Sequence, residues 1–211
     1  MAEATGVVVE TALIGVGHDA YAPMAGAASR AVVSYLETRF RVARDIIEDE
    51  FRVAGVTDGH FHDDQQLAAG AYRYARAVRD QSADENLRLL AQAMVGLARR
   101  DKAWVSDFLK FADILAPLSR DEIVFVGILV AADSKNNDMP EPKPGAADLA
   151  KSALAEAFGD DDLTQAIAGR SLRSGLVIAK TGWGSLIYVI SPLGREVRDL
   201  INVDRALNPE N

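Results

Sequence analysis

Cysteine is absent from the 211 residues. That excludes a disulfide framework, thiolate catalysis and thiolate-bound metal together, and it fits a reducing cytoplasm. Histidine is almost as scarce, at three residues, and no helix carries a histidine pair at metal-protease spacing. Long hydrophobic runs are missing as well. The longest nearly unbroken apolar stretch, Ile123–Ala132, falls far short of the roughly 18 residues that suggest a membrane span. The opening residues, MAEATGVVVETALIG, hold two acids and no Lys or Arg, so the basic flank of a secretory signal is lacking. The expectation is a soluble, cytoplasmic protein without membrane contact.

Positive charge is also in deficit. The net charge is −8, with the acids spread along the chain, so no segment has the basic surplus that drives nucleic-acid binding through counterion release. Only a local basic face is left for that role. Motifs of catalysis are missing too: there is no nucleophile elbow and no phosphate loop. Gly15-Val16-Gly17 has no third glycine at dinucleotide-fingerprint spacing. No enzyme and no cofactor are expected.

What is present is helical periodicity over a chain that is 49% hydrophobic, enough for a real core. Residues 1–26 read as an N-terminal arm, residues 27–117 as a helical oligomerisation region. Ala27 to Ala54 is a long amphipathic helix whose apolar residues (Val32, Leu36, Phe40, Ala43, Ile47, Phe51) recur every three or four positions, with Gly55 as its C-terminal cap. At about 40 Å it is longer than its own domain needs, which suggests an association helix and a homodimer.

Asp58-Gly-His-Phe-His-Asp-Asp64 places His60 and His62 among carboxylates. These groups suit a divalent metal, but helix capping by Asp63 or Asp64 explains the acids more simply, and no metal site is assigned. Arg73, Arg76 and Arg79 form a basic row on the next helix, beside Tyr72. Ser82-Ala-Asp-Glu85 and Ser119-Arg-Asp-Glu122 both have the form of a capping box. Lys102 to Ala116 reads as a helix stopped by Pro117.

Residues 118–211 make the second domain. A buried helix follows Ser119, and Asp133 to Gly145, with Pro140, Pro142 and Pro144, reads as an extended loop. Ala146 to Phe158 is a short helix stopped by Gly159. Another runs to Ser174 with Leu163, Ile167, Ala168 and Leu172 inward. Leu176–Ala179 and Leu186–Ile190 are strands joined by a glycine-bearing turn, Lys180–Ser185. Ser191-Pro192 then caps a closing helix.

Three helices, a two-stranded wing and a closing helix make a winged helix-turn-helix. The runs Leu172-Arg-Ser-Gly-Leu-Val177 and Tyr188-Val-Ile-Ser-Pro-Leu-Gly-Arg-Glu-Val197 resemble the signature of MarR-like and PadR-like bacterial regulators, over about 85 residues from Ser119 to Asp204. The resemblance implies a dimeric transcription regulator that binds double-stranded DNA. Residues Asp160–Ser174 would be the recognition helix, Thr164 and Gln165 the base readers, and Arg170, Arg173, Lys180 and Arg195 the phosphate contacts. Asp160-Asp-Asp162 argues the other way, since carboxylates there repel phosphates. The competing expectation is therefore a non-enzymatic scaffold that uses the winged helix for a protein partner, with Trp183 at the wing tip as anchor.

Overall fold

The computed structural model describes residues 27–57, 63–100, 104–139, 145–159, 161–182 and 185–209. The arm at 1–26, the His60 and His62 positions, the prolines at 140–144, Asp160 and Trp183 lie outside the described residues. Among the described residues the protein is mostly helical, with one small antiparallel sheet. The chain divides into two compact units, Met1–Pro117 and Leu118–Asn211.

The first unit is built from α1 (Ala27–Ala54), α2 (Asp64–Arg79), α3 (Asp84–Ala98) and α4 (Val105–Leu115). Helix α1 ends at Gly55, whose φ of 65° is a left-handed conformation suited to glycine. Its apolar stripe packs over Ala43, Ile46 and Ile47, which are buried. Thus its second half serves the core of its own unit, while Val33 and Tyr35 stay exposed. Tyr74 on α2 is fully buried, and its hydroxyl donates to the Ala43 carbonyl at 2.9 Å. Arg88 on α3 pairs with Asp49 at 2.9 Å and with buried Glu50 at 2.8 Å, which ties α3 to the charged side of α1. Asp63 caps α2 by accepting from the N–H groups of Gln65 and Gln66.

Ser82 does not form the expected capping box. The N-cap of α3 is Ala83, which makes no side-chain cap. The Ser82 hydroxyl instead donates to the Ala116 carbonyl at 3.1 Å, so its oxygen is drawn to the end of α4 rather than to the start of α3. The basic row on α2 is largely neutralised. Arg73 pairs with Asp113 at 2.9 Å, and Arg76 and Arg79 both lie against Asp80 at 3.4 and 3.5 Å.

The second unit contains α5 (Arg120–Asp138), α6 (Ala146–Phe158), α7 (Asp161–Arg173), the hairpin β1 (Val177–Gly182) and β2 (Ser185–Ile190), then α8 (Pro192–Arg198) and α9 (Val203–Leu207). Helix α5 begins with a complete capping box: Ser119 Oγ accepts the Glu122 N–H, and Glu122 accepts the Ser119 N–H at 2.9 Å. The β-branched run after it is helical, as that cap predicts, with Ile123, Phe125, Val126 and Leu129 buried. The helix also continues to Asp138, past the point where an extended loop was expected. Asp133–Asp138 contains no breaker. Met139, the residue before Pro140, is the first to turn extended, with ψ of 145°.

Helices α6, α7 and α8 and the hairpin gather around α5. Phe125 contacts Phe158 of α6 at 6.5 Å between ring centres, and Tyr188 of β2 meets Phe125 edge-on at 5.9 Å. Helix α9 returns to α5 at Gly127, where a Cβ would lie 2.7 Å from a Val203 methyl carbon.

Candidate functional site

Helices α6 and α7 are separated by only two residues. Gly159 makes this turn with φ of 65°, its N–H bonded to the Ala155 carbonyl at 2.9 Å, which stops α6 without a steric penalty. Helix α7 turns Ile167, Ala168 and Ser171 inward, all three buried. Leu163 and Leu172, expected inward from their spacing, are 44% and 36% exposed. At 100° per residue they flank the buried arc on opposite sides, so neither reaches the core.

The end of α7 is fixed to the hairpin and to α8 through Ser191. Its N–H donates to the Leu176 carbonyl at 2.9 Å, its hydroxyl donates to the Gly175 carbonyl at 2.6 Å, and its oxygen accepts the Gly194 N–H at 2.9 Å. Gly175 supplies the required positive φ of 75°. The Leu-Arg-Ser-Gly-Leu and Ser-Pro-x-Gly runs are therefore the two halves of one junction.

The hairpin pairs Val177 with Ile190, Lys180 with Ile187 and Gly182 with Ser185. The strands thus extend to Gly182 and Ser185, and the connection at 183–184 is shorter than the six-residue turn expected over Lys180–Ser185. Strand alternation puts buried Val177 and Ile190 on one face. Lys180 lies on the other, beside Ile178, which is 38% exposed.

The residues singled out for DNA are thus distributed over three elements. On α7, Thr164 is half-buried, and Gln165, Arg170 and Arg173 are exposed. Lys180 is exposed on β1. Arg170 lies 3.9 Å from Asp121. Arg173 and Lys180 make no ion pair among the described residues. Arg195 on α8 is committed to a clamp: its guanidinium donates two hydrogen bonds to Asp133, at 2.9 and 3.2 Å, and Arg198 donates a third at 2.9 Å. These bonds, those from Arg195 foremost, hold the Asp133 carboxyl below its ordinary range despite its burial. The same bond raises the Arg195 pKa.

Asp133 is the residue that sequence reasoning missed. Its signal was an acid standing on the apolar face of a helix that extended farther than assigned. Two carboxylates, Asp161 and Asp162, are exposed in the first turn of α7. Among the described residues no group of three or more His, Asp or Glu side chains is placed to hold a metal ion, and no helix is long and apolar enough to cross a membrane.

No family model, curated protein or solved structure matches this chain. Function rests on the geometry.

Proposed function

We propose that the second unit is a winged helix-turn-helix whose α7 docks onto a protein surface, in a non-enzymatic interaction or scaffold role. The element order supports the fold: three helices, a short turn between the second and third, a hairpin, and then two short helices, α8 and α9, in place of the single closing helix expected. One observation carries the choice of partner. The helix in the recognition position exposes Asp161, Asp162, Leu163 and Leu172, where a major-groove reader needs cations and amides. Carboxylates at the leading end of that helix repel phosphates, and half-exposed leucines favour an apolar protein contact. The Arg195 charge is already balanced by Asp133, which removes one of the expected phosphate contacts.

A DNA-binding regulator is the second reading. Gln165 is exposed on α7, and Arg173 and Lys180 have no ion-pair partner among the described residues, so a small cationic edge exists.

Fluorescence anisotropy with mixed-sequence duplex DNA separates the two. The docking reading expects no binding even at about 20 mM salt, where attraction is least screened. Binding that weakens steeply with salt, and that disappears in the Arg170→Ala, Arg173→Ala double variant, establishes the regulator instead.

A further inference from the structure

The exposed face of α7 is self-complementary. Asp162, Ala166, Gly169 and Arg173 recur at spacings of four, three and four, and all are exposed. They form one line opposite the buried Ile167, Ala168 and Ser171. The line carries an acid at one end, two small residues in its middle and a base at the other. Asp162 and Arg173 are equally distant from the midpoint between Ile167 and Ala168. Ala166 and Gly169 are equally distant from that same midpoint. Leu163 borders the line on one side and Leu172 on the other, again symmetrically placed about it.

We propose that the partner docked on α7 is a second copy of this chain, bound through an antiparallel α7–α7 contact about a two-fold axis. This deepens the docking reading and rests on it. In that arrangement Asp162 faces the partner's Arg173 at each end of the seam, so one surface provides both ion pairs, as an isologous contact demands. Ala166 meets the partner's Gly169 at the crossing. Nothing lies within 4 Å of the Cβ position of Gly169, so the helix surface is open there and the two backbones approach closely. Leu163 and Leu172 cover the ion pairs from either side. The partner is chosen by charge: a parallel α7 sets like charges together at both ends, whereas the antiparallel one sets opposite charges together. Asp162 accepts the added bond without giving up existing ones, since an ionised carboxylate has about four acceptor positions. A helix about 20 Å long makes an interface at the small end of specific contacts, so the dimer belongs to the micromolar range or weaker.

The test is sedimentation velocity on the full chain over a concentration series from about 5 to 500 μM, a range chosen around that affinity. The wild-type protein is expected to pass from monomer to dimer. Asp162→Arg and Arg173→Asp each place like charges at both ends, and each is expected to weaken the dimer at least about tenfold. Mixing the two variants restores opposite charges at both ends. The equimolar mixture is therefore expected to dimerise where neither variant does alone, a rescue that also shows both variants to be folded. Gly169→Leu, which fills the crossing, is expected to abolish the dimer. A dimer insensitive to both charge reversals overturns the proposal and places association elsewhere, and so does failure of the mixture to recover. A monomer at every concentration overturns it as well: if that monomer ignores duplex DNA the docking reading survives, and if it binds duplex DNA both fall.

Discussion

A Cβ on Gly194 would lie 2.3 Å from the carbonyl oxygen of Leu176. Backbone meets backbone here, because the Ser191 bonds draw the first turn of α8 onto the junction between α7 and β1. No side chain can rotate aside to make room.

Gly194→Ala is accordingly expected to lower stability by about 1–3 kcal/mol, the usual cost of overpacking, although alanine is the better helix former. Gly169→Ala is the matched control: it is helical and has open space around it, so it is expected to gain up to about 1 kcal/mol. Urea midpoints at one protein concentration, low enough to keep the chain monomeric, decide both. A neutral Gly194→Ala would falsify the close approach.

Ser171→Ala is expected to stabilise the protein. The Ser171 side chain is fully buried and its hydroxyl has no hydrogen-bond partner among the described residues. Its removal abolishes a desolvated polar group and leaves the packing nearly unchanged, a gain of about 1 kcal/mol. Thermal unfolding at fixed concentration reads this directly. A lower midpoint would mean that the hydroxyl has a partner after all.

Asp133→Asn is expected to cost about 1–3 kcal/mol at pH 7. This is less than the roughly 3–5 kcal/mol of breaking a fully buried pair, because the Arg195 side chain is 47% exposed. The folded-state pKa of Asp133 is lowered. Its contribution is therefore fully present above the ordinary aspartate value of 3.8 and is lost as pH falls through the folded value. Urea midpoints of the wild type and the variant should thus differ at pH 7 and converge only as pH falls below 3.8 and through the lowered folded value. A gap of constant size down to low pH would show that the carboxylate's charge is not the source.

Ser119→Ala is expected to cost about 1 kcal/mol, since it removes the cap at the start of α5. Ser82→Ala, at the other sequence of the same form, is expected to leave the start of α3 intact, because no side-chain cap exists there. Hydrogen exchange should locate the first loss at Asp121–Ile123. It should locate the second at the end of α4, where the Ser82 bond to Ala116 is made.

This pair of serines shows how far the sequence was legible. Local chemistry was read correctly where it is self-contained: Gly55 and Gly159, read as helix stops, take positive φ, Asp63 and Ser191 cap their helices, and the cap at Ser119 marks the apolar run after it as a helix. It failed where a distant group competes. Ser82 is diverted by a carbonyl 34 positions away, and the Asp133 carboxylate is taken by arginines more than 60 positions later. Leu163 and Leu172 belong to the same failure. Helical spacing admits a wide apolar arc, and only the packing of Ile167, Ala168 and Ser171 decides which part of it is covered. Of the candidate residues, Thr164, Gln165, Arg170 and Arg173 lie on the one helix that spacing assigned to them, whereas the bond of Arg195 to Asp133 was hidden by the 62 positions between them.

The Asp133 clamp joins positions 62 residues apart, so it closes a long loop around the hairpin and the turn between α6 and α7. Closing such a loop costs chain entropy before the ion pair returns anything. The hairpin and the local helical turns are therefore expected to order first, with the clamp closing late. Its weakening is then expected to accelerate unfolding more than it slows folding, which stopped-flow rates of Asp133→Asn would read. On that order, one aspartate and two arginines bear on the lifetime of the second unit more than on its speed of formation.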